Sequence, residues 1–269
     1  QATIAAGTGT SSDGKAYSGD SISLIGTAAG DFNSKDVVSA NQVAFTGLNL
    51  TGAGASNYTI TPHAVNSTAR ITPAPLTVTV NDDAKFVVET DRASFNGVSY
   101  SGFVNGETSS VLGGSITITR SNVGTNAAGS YAGVLGATGL TSNNYSVTYR
   151  PGNFTITPAD QLLVKVANTN ATYGSDPAYT VTSAKYFRSS TNSLIDLTGN
   201  VSLTGSAFSL NDGAGGNTAF TLGATTPSLS TGGQLKVGAY QLGASNIVTN
   251  ANYSNTMTLT GALQVNPKP

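Results

Sequence analysis

An Asn-Tyr pair stands in three places along this chain, each time with the same sequel. The copies are SNYTITP (Ser56 to Pro62), NNYSVTYRPGNFTITP (Asn143 to Pro158) and ANYSNTMTLTGALQVNP (Ala251 to Pro267). In each, small residues precede Asn-Tyr, Thr alternates with apolar positions after it, and a Pro closes the run. The tyrosines, Tyr58, Tyr145 and Tyr253, are 87 and 108 residues apart. That spacing exceeds the roughly 20–50 residues of a solenoid turn and matches a small domain. The chain is therefore expected to be a tandem array of modules over 1–73, 74–158 and 159–269, the first read as incomplete at its start. A β-helical shaft is disfavoured for the same reason.

Only 9% of the residues are charged, against roughly 25% in an average soluble domain. Hydroxyls and amides must therefore solvate the surface. With 12 Lys and Arg against 13 Asp and Glu, the net charge is −1, which leaves no basic patch for nucleic acid and little electrostatic steering. No run approaches the roughly 18 apolar residues of a membrane span, so membrane insertion is not expected. The absence of Cys means that stability comes from burial without disulfides. The beginning at Gln1 and the end at Pro-Lys-Pro read as those of a segment of a longer polypeptide, with any targeting signal elsewhere.

Along the chain, periods of two dominate and no 3.6-residue period persists over three turns, so an all-β fold with almost no helix is expected. In SISLIG, Ile22 and Leu24 share a face. In QVAFTGLNLTG, the apolar phase shifts at Gly47 from Val43 and Phe45 to Leu48 and Leu50, which marks a bulge or bend. Pro73 and Pro75 stiffen the passage into LTVTV, where Leu76, Val78 and Val80 face one way. Asn96-Gly97 and Asn105-Gly106 signal tight turns. About seven short strands over 74–158 fit a β-sandwich of immunoglobulin-like type. Residues 159–269 repeat the plan with longer loops, starting from QLLVKV with Leu162, Val164 and Val166 alternating and ending on one closing strand, MTLTGALQVN. The ladders are expected to be antiparallel and the modules to form an elongated rod.

Four stretches resemble the MBG and YDG repeats of very large bacterial surface proteins: YSGFVNGET (Tyr100 to Thr108), LTSNNYSVTYRPGNFTITP (Leu140 to Pro158), ITPAPLTV (Ile71 to Val78) and ATYGSDPAYTV (Ala171 to Val181). GASNYTIT before ITPAPL is similar to the end of a YDG-type repeat, and the second and third modules resemble MBG-type repeats. The Tyr-Asp-Gly of the pattern is missing from the second module, where KFVVETD stands, and the third has TYGSD. The resemblance implies a secreted, extracellular stalk within a filamentous-haemagglutinin-like adhesin exported by two-partner secretion. Such a stalk would support adhesion, aggregation or biofilm formation, with other domains of the same adhesin as its partners. It carries over no catalytic residue.

The residues themselves leave little for catalysis. His63 is the sole His, and Glu89 and Glu107 are the two Glu, so neither a Ser-His-Asp triad nor a His-rich metal site has material. No enzyme and no cofactor are expected. If an ion binds, Ca2+ suits Asp and Asn oxygens, with Asp31 and Asp36 of DFNSKD, Asp212 of NDGAGGN, and the NDD run at 81–83 as the candidates. Turn formation by Asn, Asp and Gly is the preferred reading of the same residues. A second function class is a carbohydrate-binding module for an exopolysaccharide or host surface glycan, which needs an exposed ring beside planar donors. KYFR (Lys185 to Arg188) is the place for it, with Tyr186 and Arg188 on one strand face and Phe187 pointing inward; the plainer alternative is that Tyr186 is a core residue and Arg188 is solvated.

Overall fold

The protein is described by a computed structural model for residues 4, 15–60, 64–66 and 69–268. The opening ATIAAG run apart from Ile4, Pro62 and His63 lie outside the described residues. The chain is all-β; among the described residues, helix is confined to four 3₁₀ turns of three residues each. It divides into two compact units, Gln1–Pro73 and Ala74–Pro269.

In the first unit, strands β1 (Ser23–Phe32), β2 (Gln42–Thr51) and β3 (Ala64–Asn66) form an antiparallel sheet in that order. Ile22 and Leu24 are both half-buried and Val43 is buried. The phase change at Gly47 is a bulge: the register shifts between Gly26 and Ala29, and Gly26 (φ 94°) and Gly47 (φ 80°) face each other across it. A Cβ on Gly47 would lie 2.3 Å from the Thr27 carbonyl oxygen.

The second unit contains two sandwiches with one strand plan. In the first, β4 (Ala74–Val80) is flanked by β6 (Val98–Ser101) and β9 (Tyr145–Arg150) in one sheet. The facing sheet runs β5 (Asp83–Phe86), β10 (Gly152–Thr157), β8 (Gly129–Thr141), β7 (Gly113–Arg120). The chain changes sheet five times, and two of those crossings, between β4 and β5 and between β9 and β10, join consecutive strands with almost no loop. Gly152 makes the second of these two, and a Cβ there would sit 2.5 Å from the Val80 carbonyl oxygen. Leu76, Val78 and Val80 are fully buried, as the alternation in LTVTV requires.

The second sandwich repeats this with β11 (Leu162–Val166) between β13 (Val181–Arg188) and β19 (Met257–Thr260), and with β12 (Thr169–Thr172), β20 (Ala262–Asn266), β18 (Gly238–Thr249) and β17 (Asn217–Ala224) opposite. Its longer loops are extra strands. β14 (Ser193–Asp196) extends the first sheet, and β15 (Val201–Thr204) with β16 (Ala207–Asn211) extends the second. MTLTGALQVN is two strands in two sheets rather than one closing strand. Gly261 is the crossing, since a Cβ there would press on Val166 at 2.9 Å.

The ladders are not all antiparallel. β4 pairs in parallel with β9 and β5 with β10, and β11 pairs in parallel with β19 and β12 with β20. Each sandwich is therefore closed by its entering strands lying beside its leaving strands. The physical cause is the double crossing: two N-terminal and two C-terminal strands run the same way, one pair in each sheet.

The glycine pair of the first unit recurs in β7–β8, where the register shifts between Gly114 and Thr117 and a Cβ on Gly139 (φ 103°) would lie 2.1 Å from the Ser115 carbonyl oxygen. Gly139→Ala combines that clash with a left-handed backbone and is expected to destabilise the second unit by about 2–4 kcal/mol. Gly136→Ala on the same strand meets nothing within 4 Å and should change stability by less than about 0.5 kcal/mol. Urea unfolding of the two variants side by side checks this; equal midpoints would show that the bulge is not a required feature.

Candidate functional site

The two sandwiches of the second unit meet through a junction built from strands with both faces buried. In β11, Leu162, Val164 and Val166 enter the core of the second sandwich, while Leu163 turns the other way. There it packs with Ala84, Phe86 and Phe187 in a separate cluster, with the Phe86 and Phe187 rings 6.4 Å apart. All four residues of β5, Asp83 to Phe86, are buried. The connection from β10 to β11 is only residues 158–161, and it is pinned: the Asp160 amide donates to the Phe187 carbonyl (2.7 Å), and the Ser189 amide donates to the Asp160 carboxylate (2.9 Å).

Buried charges complete the junction. The Asp83 side chain is 1% exposed. One of its oxygens accepts from Lys165 Nζ across the junction (3.1 Å) and from the Ala84 amide (2.8 Å), and the other accepts from Arg92 Nε (2.8 Å). These donors replace the hydration that burial takes from the carboxylate. Beside it, Asp91 bridges Lys85 (2.9 Å) and Arg120 (2.8 Å). Arg120 also donates to the Thr125 and Val123 carbonyls and stacks 4.6 Å above the Phe154 ring. Burial pushes the Asp91 carboxyl up, but hydrogen bonds from Lys85 and Arg120 outweigh it and hold the group below its usual range.

Amide contacts finish the clasp. Gln241 Oε1 accepts from the Asp82 amide (3.0 Å), and Asn168 donates to the Asn96 carbonyl (2.6 Å) while accepting from the Ala262 amide (3.0 Å).

The Asn-Tyr pairs serve turns. Tyr58 OH accepts from the Tyr17 amide (3.0 Å) and donates to Asp20 (2.5 Å). Tyr145 OH accepts from the Val104 amide (3.2 Å) and donates to Glu107 (2.7 Å). In both, the phenol closes a four-residue turn, Tyr17–Asp20 or Val104–Glu107, in which the acid's amide donates back to the first carbonyl. Gly19 and Gly106 supply the left-handed backbone. Asn105 and Gly106 both have positive φ, as the Asn-Gly signal requires. Tyr253 is buried as well, but its hydroxyl pairs with Thr218 at 2.9 Å.

Asp212 lies in a nest of donors. Its oxygens accept from the Ala214 and Gly216 amides (2.8 Å each) and from the amide (2.9 Å) and Nδ2 (2.7 Å) of Asn252. N–H groups on both oxygens stabilise an anion and leave it poorly placed to ligate a metal. Burial raises its pKa, yet the bonds from Ala214, Asn252 and Gly216 prevail and bring it down to about 2. The NDD run behaves likewise: Asn81 is buried and bonded to Asn96 and Ser99, Asp82 grips the Asn153 amide and Nδ2, and Asp83 belongs to the junction.

Asp31 is exposed on β1, and Asp36 lies in a turn where its carbonyl accepts from the Ser39 and Ala40 amides. Lys35 Nζ approaches Asp36 to 3.6 Å. Among the described residues, no three of His, Cys, Asp and Glu gather into a metal-binding group.

Tyr186 offers no stacking platform. It is 2% exposed, its ring packs 5.1 Å from that of Tyr253, and its hydroxyl accepts from Arg188. Phe187, on the opposite face of β13, is buried at the junction. Both faces of KYFR are covered because a neighbouring sandwich lies on the side that an isolated module would expose.

The junction residues Asp83, Lys165, Leu163 and Phe187 escape pattern reading. One signal was present: the unbroken Leu162-Leu163-Val164 run departs from the alternation of a half-exposed strand.

Residues 76–155 match the family model of the MBG domain (YGX type), and residues 1–67 match that of the YDG domain. The expected resemblance to these repeat domains holds over both segments. The 159–269 sandwich has the strand order of the matched MBG segment with two extensions. No curated protein and no solved structure matches the chain significantly.

Replacing Arg120 by Ala leaves Asp91 with Lys85 as its remaining cation, frees the Val123 and Thr125 carbonyls and uncovers the Phe154 ring, and is expected to cost about 2–4 kcal/mol. Urea unfolding checks it, and a loss under about 1 kcal/mol would mean that the network is dispensable. For Asp212, the folded value lies below the roughly 3.9 of an unfolded Asp, so its stabilisation is whole above that pH and drains away as pH falls toward 2. Asp212→Asn should therefore unfold more easily than the parent at pH 7, by about 1–2 kcal/mol. The gap should shrink between pH 4 and pH 2, as thermal unfolding across that range would record.

Proposed function

We propose that this chain is a load-bearing stalk segment of a large secreted bacterial surface adhesin, placed outside the cell to support adhesion, aggregation or biofilm formation. Its partners are other domains of the same adhesin, and it neither catalyses a reaction nor needs a metal. The family matches support this reading, since MBG and YDG domains are consistent with adhesin-type repeats. The absence of Cys agrees with export of an extended chain, because a disulfide formed before passage would close a loop.

The observation that carries the proposal is the parallel pairing of entering and leaving strands. Within 74–158, the chain enters at the start of β4 and leaves at the end of β10. A pull on the two ends drags β4 and β5 backwards along β9 and β10, so both parallel ladders bear load in shear. In shear, all the hydrogen bonds of a ladder resist together, whereas peeling breaks them one at a time. The same holds for β11 with β19 and β12 with β20. Forced unfolding is governed by the barrier to unfolding, and shear loading raises that barrier. The charged and aromatic junction adds a second stiff element, because parting the two sandwiches would expose Asp83 and Phe86.

Single-molecule force spectroscopy tests this. Pulled through its two ends, the 74–158 sandwich should yield at a force severalfold higher than when it is pulled through handles in its Asn105-Gly106 turn and its 142–144 loop. Equal forces in the two geometries would remove the basis of the stalk reading.

A further inference from the structure

Between the two sandwiches of the second unit lies a cleft of about 430 Å³, within the range of small-ligand sites. One wall is aromatic: Tyr100 on β6 and Phe103 just after it have ring centroids 5.6 Å apart, and Phe103 packs edge-on against Tyr145 at 5.4 Å. The opposite wall is a row of amides. In the parallel β12–β20 ladder, Asn170 stands beside Gln264 and Thr172 beside Asn266. Residues two apart on a strand share a face, so Asn170, Gln264 and Asn266 line the cleft together. Asn168 also borders it, but its amide is spent on the junction.

Gln264 carries an unmet demand. Its Oε1 is buried without a hydrogen-bond partner among the described residues, and its Nε2 makes only a long bond to the Val265 carbonyl at 3.4 Å. An orphaned buried acceptor costs free energy, and Gln264 is one of the residues that line the cleft.

We propose that this cleft binds a neutral polyhydroxylated chain, that is, an uncharged oligosaccharide segment. No Lys or Arg lines it, so an anion finds no counter-charge, and its one acid, Glu107, is already engaged by the Tyr145 hydroxyl. An apolar ligand would leave the amide row unsatisfied. β20 lies between β12 and β18 and offers only side chains, whereas β6 and β12 are edge strands at which an extended peptide could pair through its main chain; the peptide competition below separates that occupant from a sugar. Sugar hydroxyls, each both donor and acceptor, match amides that present both. The C–H face of a sugar ring suits the half-buried Tyr100 and Phe103. The site is independent of the stalk reading and differs from the Tyr186–Arg188 face, which burial removes.

The test uses the full chain, titrated calorimetrically with neutral tetrasaccharides of glucose, mannose, galactose and N-acetylglucosamine. At least one should bind saturably, with Kd of about 0.1–1 mM. Gln264→Ala and Tyr100→Ala should each weaken it at least about tenfold, while Arg188→Ala leaves it unchanged. Gln264→Ala should not lower the melting temperature, because it deletes an unpaired buried acceptor. Asn170→Ala, at an exposed position, gives a second reading if that variant folds poorly. Failure of all four sugars to saturate by about 10 mM, binding that survives all the cleft substitutions, or displacement of the sugar by an extended Thr/Val peptide would overturn the proposal.

Discussion

Asp83 sits where a carboxylate is most expensive to keep, almost wholly out of water at the meeting of two sandwiches. Removing a charge from water costs several kcal/mol even after relaxation, and the offset here comes from three donors that arrive from different elements: Ala84 from its own strand, Arg92 from the following loop, and Lys165 from the next sandwich. A slide or rotation of one sandwich against the other would separate Lys165 from Asp83 and leave the carboxylate to Arg92 and the Ala84 amide alone. Hydrophobic contact alone would tolerate such movement, since it is not directional. The Phe86–Phe187 cluster supplies cohesion, and the ion pair supplies one particular orientation. Four of the 12 Lys and Arg of a charge-poor chain serve this network and its Asp91 neighbour.

Around that junction, the molecule reuses a few local devices. Glycines facing each other across a ladder make the bulges of β1–β2 and β7–β8, where any Cβ would run into a carbonyl oxygen. In the last sandwich, the bulge between β17 and β18 falls beside Asn246 at φ 53°, the side chain that best tolerates that conformation after Gly. A phenol locks a Gly turn to an acid in the first unit and in the 74–158 sandwich. In the last sandwich the same tyrosine pairs with a threonine instead. Asp82 with Asn153 and Asp212 with Asn252 are a further pair, each carboxylate gripping an asparagine by backbone and side chain. With so few charges, much of the polar order rests on amides, hydroxyls and main-chain groups.

Much of this was legible locally. The alternations in LTVTV and in Leu162, Val164 and Val166, the phase change at Gly47, the Asn-Gly turns and the Asn-Tyr repeat all correspond to features of the fold. Each is a matter of side-chain direction or backbone freedom within a few residues. Three readings were decided elsewhere in the chain for one physical reason: whether Tyr186 of KYFR is a core residue or a binding face, whether NDD is a turn, and whether MTLTGALQVN is one strand. In each, the partner that decides the environment is distant in sequence: Leu163 and Phe86 beside Phe187, Lys165 at Asp83, and Val166 against Gly261.

Sequence by itself determined that the chain is all-β, that it is modular, and where most strands and turns lie, because period-two alternation and Gly or Asn at left-handed positions act over a few residues and need no knowledge of neighbours. Only the tertiary structure decided that entering and leaving strands pair in parallel, that two sandwiches share a buried ion pair, and that an amide row faces an aromatic wall across a cleft. Those outcomes depend on which strand faces lie against each other across separations of about 70–160 residues. A strand's own alternation marks its two faces and leaves open what will cover the second one.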